Sequence, residues 1–176
     1  MTALVIGGAA SGKSAFAEQL AVSLSDGPRC YIATMQPFDG ECRARIQRHR
    51  EQRAGKGFST LECFTGLARA VPPAHSTVLL ECVSNLAANE LYSPDGAGDG
   101  AVEAIVEGVR VLRRRCDHLV IVSNEVFSGG SSYAGDTLHY LHVLARVNRL
   151  LAQEADEVYE IVYGLPVCHK GKGVRA

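Results

Sequence analysis

The sequence predicts an α/β protein with a mostly parallel sheet flanked by helices. Three observations carry that expectation. Short apolar runs without polar alternation recur along the chain, amphipathic stretches separate them, and glycine-rich or charged residues sit where the apolar runs end. In open sheets of this kind ligands bind beyond the carboxyl ends of the strands. The residues at those ends are Gly7 to Ser14, Thr34, Glu81 and Asn124-Glu125.

Ala3 to Ile6 is the first buried strand, and Gly7 to Gly12 is a turn of glycine and small residues. From Lys13 the pattern is helical, with Phe16, Leu20 and Leu24 spaced by four, until Asp26-Gly27-Pro28 stops it. Cys30 to Thr34 reads as a second strand, Gln36 to Gly40 as a loop, and Glu41 to Arg53 as a second helix. Phe58 to Cys63 is a weak strand candidate, and Pro72-Pro73 breaks the chain before the apolar strand Thr77 to Cys82. Asn85 to Tyr92 is a short helix, and Ser93 to Gly100 is a surface loop too short for a domain boundary. Ala101 to Arg115 places Val102, Ile105, Val106, Val109 and Leu112 on one stripe. His118 to Ser123 is a further strand, Phe127 to Asp136 a loop rich in glycine and serine, Thr137 to Glu154 the longest helix, and Val158 to Tyr163 the last strand. Gly164-Leu165-Pro166 turns into a short terminal segment.

The chain has 176 residues, which suits one domain over 1–176 with a core that needs no staples. Its 47% hydrophobic and 21% charged residues exclude a disordered tail or a fibre. A formal charge of −1 argues against a general nucleic-acid binder. No apolar stretch approaches the ~20 residues of a membrane span. Met1 to Ile6 lacks a basic region, so neither a signal peptide nor an anchor is expected. The six cysteines form no C-x-x-C clip, and the expectation is buried free thiols in a reducing cytoplasm.

Gly7-Gly8-Ala9-Ala10-Ser11-Gly12-Lys13-Ser14 fits G-x-x-x-x-G-K-[ST] at every fixed position, after a strand and before a helix. That is the P-loop pattern, and it specifies a P-loop NTPase-type fold. Backbone N–H groups cradle a phosphate, Lys13 reaches the β- and γ-phosphates, and Ser14 offers a hydroxyl to Mg²⁺. Glu81, closing Thr77 to Leu80, is the expected carboxylate partner of that Mg²⁺. Glu125 occupies an equivalent place on another strand and competes for the same task or for activating a hydroxyl.

The helix Glu41 to Arg53 carries Arg43, Arg45, Arg48, Arg50 and Arg53, and Cys42, Ile46, His49 and Arg53 share one face. Three readings stand side by side. One is a solvated basic helix, and another a nucleic-acid surface. The third is a phosphate-rich site in which arginines hold a triphosphate and His49 acts as base or nucleophile. His139 and His142 have a helical metal-ligand spacing, with no further ligand placed to join them.

Taken in order, GGAASGKS (7–14), YIAT (31–34), ARIQRHREQR (44–53), LEC (61–63), LLEC (79–82), SNEV (123–126) and RVNRLLAQEADEVYEIVYGLP (146–166) cover most of the chain. Together they resemble the bifunctional adenosylcobinamide kinase / adenosylcobinamide-phosphate guanylyltransferase family of cobalamin biosynthesis. The run R-I-x-x-H-R-x-x-R is the more specific piece. The resemblance implies a homotrimer that phosphorylates a corrinoid small molecule with ATP or GTP. It then transfers GMP from GTP to the new phosphate through a GMP–histidine intermediate, releasing pyrophosphate. Carried onto this chain, it makes His49 the guanylylated residue, with Lys13 and the rest of Gly7 to Ser14 on the triphosphate. It also implies GTP contacts at Ile32, Ala33 and Thr34, at Arg50, Glu51, Gln52 and Arg53, and at Glu62 and Glu81. Mg²⁺ would sit at Ser14 and Glu81. No nucleic acid is implied as a partner. The chain departs from the family where Phe127 to Tyr133 and Asp136 to Tyr140 stand, and in having Glu81 where many members carry Asp. Two other enzyme or switch readings of the motif are a kinase for a different hydroxyl compound, with a structural His49, and a P-loop ATPase or switch module.

Overall fold

The structure is a computed structural model that describes residues 1–127 and 134–173. Much of the expected loop from Phe127 to Asp136, residues 128–133, lies outside the described residues. The chain runs β1 (Thr2–Gly7), α1 (Lys13–Leu24), β2 (Arg29–Ala33), α2 (Gly40–Arg53), β3 (Phe58–Glu62), β4 (Thr77–Glu81) and α3 (Val83–Tyr92). It continues α4 (Ala101–Arg115), β5 (His118–Asn124), α5 (Asp136–Glu154), β6 (Glu157–Val162) and β7 (Leu165–Lys170), with single 3₁₀ turns at Leu67–Arg69 and Gly98–Gly100.

The strands form one sheet in the order β3-β2-β4-β5-β1-β6-β7. Every pair is parallel except β6–β7, which is antiparallel. The terminal segment expected after Gly164 is therefore a strand, β7. Its residues are all exposed, so it lacks the buried apolar run by which the other strands announce themselves. Gly164, at φ +80, turns it back onto β6.

Central strands are buried on both faces because helices cover both. Leu4, Ile32, Leu80 and Ile121 project to one side, where they meet Leu86 of α3, Ile105 and Leu112 of α4, and Leu144 of α5. Val5, Tyr31, Leu79, Val120 and Val122 project to the other, against Phe16, Ala17 and Ala21 of α1. Full burial of each Leu or Ile contributes roughly 1.5–3 kcal/mol, so the sheet sandwiched between these layers dominates stability. The α4 stripe expected from the sequence is the buried one: Val102, Ile105, Val106, Val109 and Leu112.

Helix α2 follows different rules. It is capped by Asp39, whose side chain accepts from Cys42 N at 2.7 Å, and its only buried residue is Arg53. It makes few close approaches to other elements. Its inward face is nevertheless the expected one, since Cys42, Ile46 and His49 are half-buried and Arg53 is buried. The cysteines depart in part from expectation. All six are free, but Cys30 and Cys63 alone are buried and Cys168 is exposed on β7. A β-edge that faces solvent on both sides has no interior to offer its side chain.

Candidate active site

The loop between β1 and α1 is shaped by steric necessity. A Cβ on Gly7 would come within 2.5 Å of Ser11 Oγ and 2.9 Å of Ile161 O, so no side chain fits there. Gly12 has φ +92, in the left-handed region where a Cβ clashes. Gly12 caps α1 without a side-chain hydrogen bond, which leaves the first-turn N–H groups of the helix for an anion. Lys13 Nζ donates to Gly8 O at 3.0 Å, folding the ammonium back over the loop. Burial lowers the Lys13 pKa, with Cys82 and Glu81 opposing it.

Parallel pairing of β2 and β4 places Ala33 beside Glu81, and β5 ends one strand further on. Glu81 is buried, and its Oε1 accepts a short hydrogen bond from Ser14 Oγ. Its Oε2 is buried with no partner. A hydroxyl and a carboxylate held together, with one carboxylate oxygen uncommitted, is a donor set that suits a hard divalent cation. The Glu81–Cys82 peptide is cis. Glu125 stands elsewhere, with its amide donating to Gly7 O at 3.0 Å and its Oε1 accepting from Phe127 N at 2.8 Å. Of the two competing carboxylates, Glu81 is the one bonded to Ser14.

These groups open onto a cavity of about 510 Å³. Lys13, Ser14, Ala33, His49, Arg50, Arg53, Glu62 and Glu81 line it, together with Arg43, Arg45, Tyr31, Asn85 and Asn124. The P-loop and the arginine helix, distant in sequence, thus share one chamber. Arg50 and Glu62 form an exposed ion pair at 3.5 Å across its mouth. Arg53 lies over the Tyr31 ring, and burial pushes the Tyr31 hydroxyl up, so it stays neutral beneath the guanidinium.

Other expected residues stand outside the lining. The Ile32 side chain is in the core. Thr34 is buried, and its hydroxyl donates to Cys82 O at 2.9 Å and accepts from Cys82 N at 2.8 Å. Glu51 is exposed and accepts from Gln47 Nε2 at 2.8 Å, and Gln52 is exposed. Gly8, Ala9, Ala10 and Ser11 complete the P-loop beneath Lys13, with Ser11 N donating to Gly8 O at 3.3 Å. His139 and His142 lie on α5, away from the chamber.

Sequence reasoning missed Glu18. It is buried on α1, one helical turn beyond Ser14, and its Oε2 accepts from Lys56 Nζ at 2.5 Å. Ligand-type atoms of Glu18, His49 and Glu81 lie within 4.8 Å of one another. The i, i+4 spacing from Ser14 was the available signal, but a lone glutamate on an amphipathic helix looks like a solvent-facing charge.

Comparison with known proteins places the fold and the family. The fold resembles that of the flagellar accessory protein FlaH of Methanocaldococcus jannaschii, with a TM-score of 0.51 at 10% identity, covering 97% of this chain and 78% of that one. The chain is 36% identical to the bifunctional adenosylcobalamin biosynthesis protein CobU of Salmonella typhimurium, over 95% of this chain and 98% of the relative. It is 34% identical to the bifunctional adenosylcobalamin biosynthesis protein CobP of Pseudomonas aeruginosa, over 98% and 99%. The family described as cobinamide kinase / cobinamide phosphate guanyltransferase matches residues 3–168. With its P-loop, arginine helix and strand-end carboxylate in one chamber, the chain belongs to the cobinamide kinase / cobinamide phosphate guanyltransferase family.

Proposed function

We propose that this chamber carries out both reactions of the family name on a corrinoid substrate. The first is phosphorylation of a hydroxyl of adenosylcobinamide by ATP or GTP. The second is transfer of GMP from GTP to that phosphate, through a GMP adduct on His49. The observation that carries the reading is that His49 lines the same cavity as Lys13, Ser14 and Glu81. A nucleophile there faces a triphosphate seated on the P-loop.

In the transfer, His49 attacks the α-phosphorus of GTP. A P–N bond forms, the P–O bond to the β-phosphate breaks, and pyrophosphate leaves with the electron pair. An oxygen of the corrinoid phosphate then attacks the same phosphorus, and the pair returns to the imidazole. Lys13 and the P-loop amides hold the departing pyrophosphate, and Arg50 and Arg53, which line the same cavity, neutralise charge building on the α-phosphate. Ser14 and Glu81 would hold Mg²⁺, which when bound supplies further neutralisation of the phosphates. The homotrimer implied by the family resemblance, the reducing cytoplasm expected from the free thiols, and a single domain over the whole chain belong to this same reading.

Intact-protein mass after incubation with GTP, Mg²⁺ and pyrophosphatase tests it, on wild type and His49→Ala. A GMP-sized, acid-labile addition absent from the variant is expected. No addition on wild type would favour a P-loop kinase or ATPase with a structural His49.

A further inference from the structure

Four buried polar atoms in and around the chamber have no partner: Glu18 Oε1, His49 Nδ1, Arg53 Nη1 and Glu81 Oε2. Glu81 already serves Ser14. Glu18 has no such duty on its Oε1, and its other oxygen is fixed by Lys56 at 2.5 Å. A carboxylate 1% exposed, anchored at one oxygen and uncommitted at the other, is a preorganised acceptor. Two buried groups with an unused polar nitrogen stand near it: the Arg53 guanidinium, which is held over the Tyr31 ring, and the His49 imidazole, a ligand atom of which lies within 4.8 Å of a Glu18 carboxylate oxygen.

A metal ion is the other candidate occupant. Charge argues against it. Two carboxylates, Glu18 and Glu81, face three cations, Lys13, Arg53 and Lys56. Beyond the Mg²⁺ assigned to Ser14 and Glu81, a second divalent ion at Glu18 and His49 would add to this positive excess, so Glu18 favours a neutral N–H donor.

We infer that Glu18 is a positioning residue for His49, accepting a hydrogen bond from Nδ1–H when the chamber is loaded. This rests on the reading of His49 as the nucleophile. Holding the proton on Nδ1 leaves the Nε2 lone pair for the α-phosphorus. When the P–N bond forms at Nε2 and pyrophosphate departs, the ring keeps its Nδ1 proton and becomes cationic. The Glu18 carboxylate balances that charge until the corrinoid phosphate takes the GMP and the ring returns to neutral. Because Glu18 follows Ser14 by one turn of α1, the helix that seats the triphosphate also carries the group that orients its attacker.

The test has two arms. In ¹⁵N-histidine-labelled wild type, ¹⁵N–³¹P coupling reports which nitrogen carries GMP; linkage through Nε2 is expected, and linkage through Nδ1 overturns the assignment. In rapid-quench kinetics, Glu18→Gln should slow adduct formation about 10–100-fold with the KM for GTP little changed. Lys56→Met, which keeps the carboxylate but frees it to turn, should fall between wild type and Glu18→Gln. A Glu18→Gln enzyme as fast as wild type, or a Lys56→Met enzyme as slow as Glu18→Gln, overturns the inference. Absence of any adduct on wild-type His49 would instead overturn the nucleophile reading on which it rests.

Discussion

The guanidinium carbon of Arg53 lies 3.3 Å from the centre of the Tyr31 ring. This contact joins the last residue of the arginine helix to the second strand of the sheet. Arg53 is 6% exposed, so the cation–π interaction is desolvated and is worth about 2 kcal/mol. Tyr31→Leu should lower unfolding stability by roughly that amount and slow GMP-adduct formation more than it weakens GTP binding. Chemical denaturation alongside adduct kinetics checks both; unchanged kinetics would mean the contact holds nothing that the transfer uses.

Lys13→Ala should impair both nucleotide reactions, because the P-loop amine is the charge both share. Its pKa is lowered by burial, so its positive charge is lost at a lower pH than an exposed lysine loses it. A bound phosphate favours the charged form and raises the pKa again. Nucleotide binding at alkaline pH should therefore take up protons. Calorimetry in buffers of different ionisation enthalpy measures this, and Lys13→Ala should abolish it.

Glu81→Gln and Glu125→Gln separate the two strand-end carboxylates. Only Glu81 meets Ser14. Glu81→Gln should raise the Mg²⁺ concentration needed for half-maximal turnover by about 10-fold or more, and Glu125→Gln should leave that requirement near wild type. A Mg²⁺ titration in which Glu125→Gln shows the larger shift would reverse the assignment.

Gly108 tests the packing of α4. A Cβ there would lie 2.7 Å from Leu67 Cβ and 3.2 Å from Ala68 N. Helix propensity alone would make Gly108→Ala stabilising by about 1 kcal/mol. The overlap with a buried turn should outweigh that and lower stability by about 1–3 kcal/mol. A rise in the denaturation midpoint would show that Leu67 moves aside.

Much of this was legible in the sequence because the signals were local. The P-loop declares itself in eight consecutive residues, 7–14, and the inward face of α2 in the spacing of Cys42, Ile46, His49 and Arg53. What sequence hid was relational. β7 lacks an apolar run, since it pairs at an edge and buries nothing. Glu18 carries no motif, and its pairing with Lys56 exists only because the loop after α2 brings that lysine to it. Ile32 and Thr34 sit beside lining residues, but the strand period turns one into the core and the register spends the other on Cys82. The choice between Glu81 and Glu125 depended on which strand end faces Ser14, and only the sheet order decides that.

Helix α2 is tied to the rest by a cation over a ring and by the Arg50–Glu62 ion pair, with almost no shared hydrophobic interior. Apart from Arg53, its sequence is therefore free to drift without endangering the fold. A chain that lost GMP transfer could keep its phosphate-binding sheet intact, and one that acquired new arginines on α2 could remodel the chamber's reactivity at little structural risk. If His49 carries GMP as proposed, the second chemistry is an exchangeable fitting on a durable frame, and selection can act on one activity while leaving the other alone.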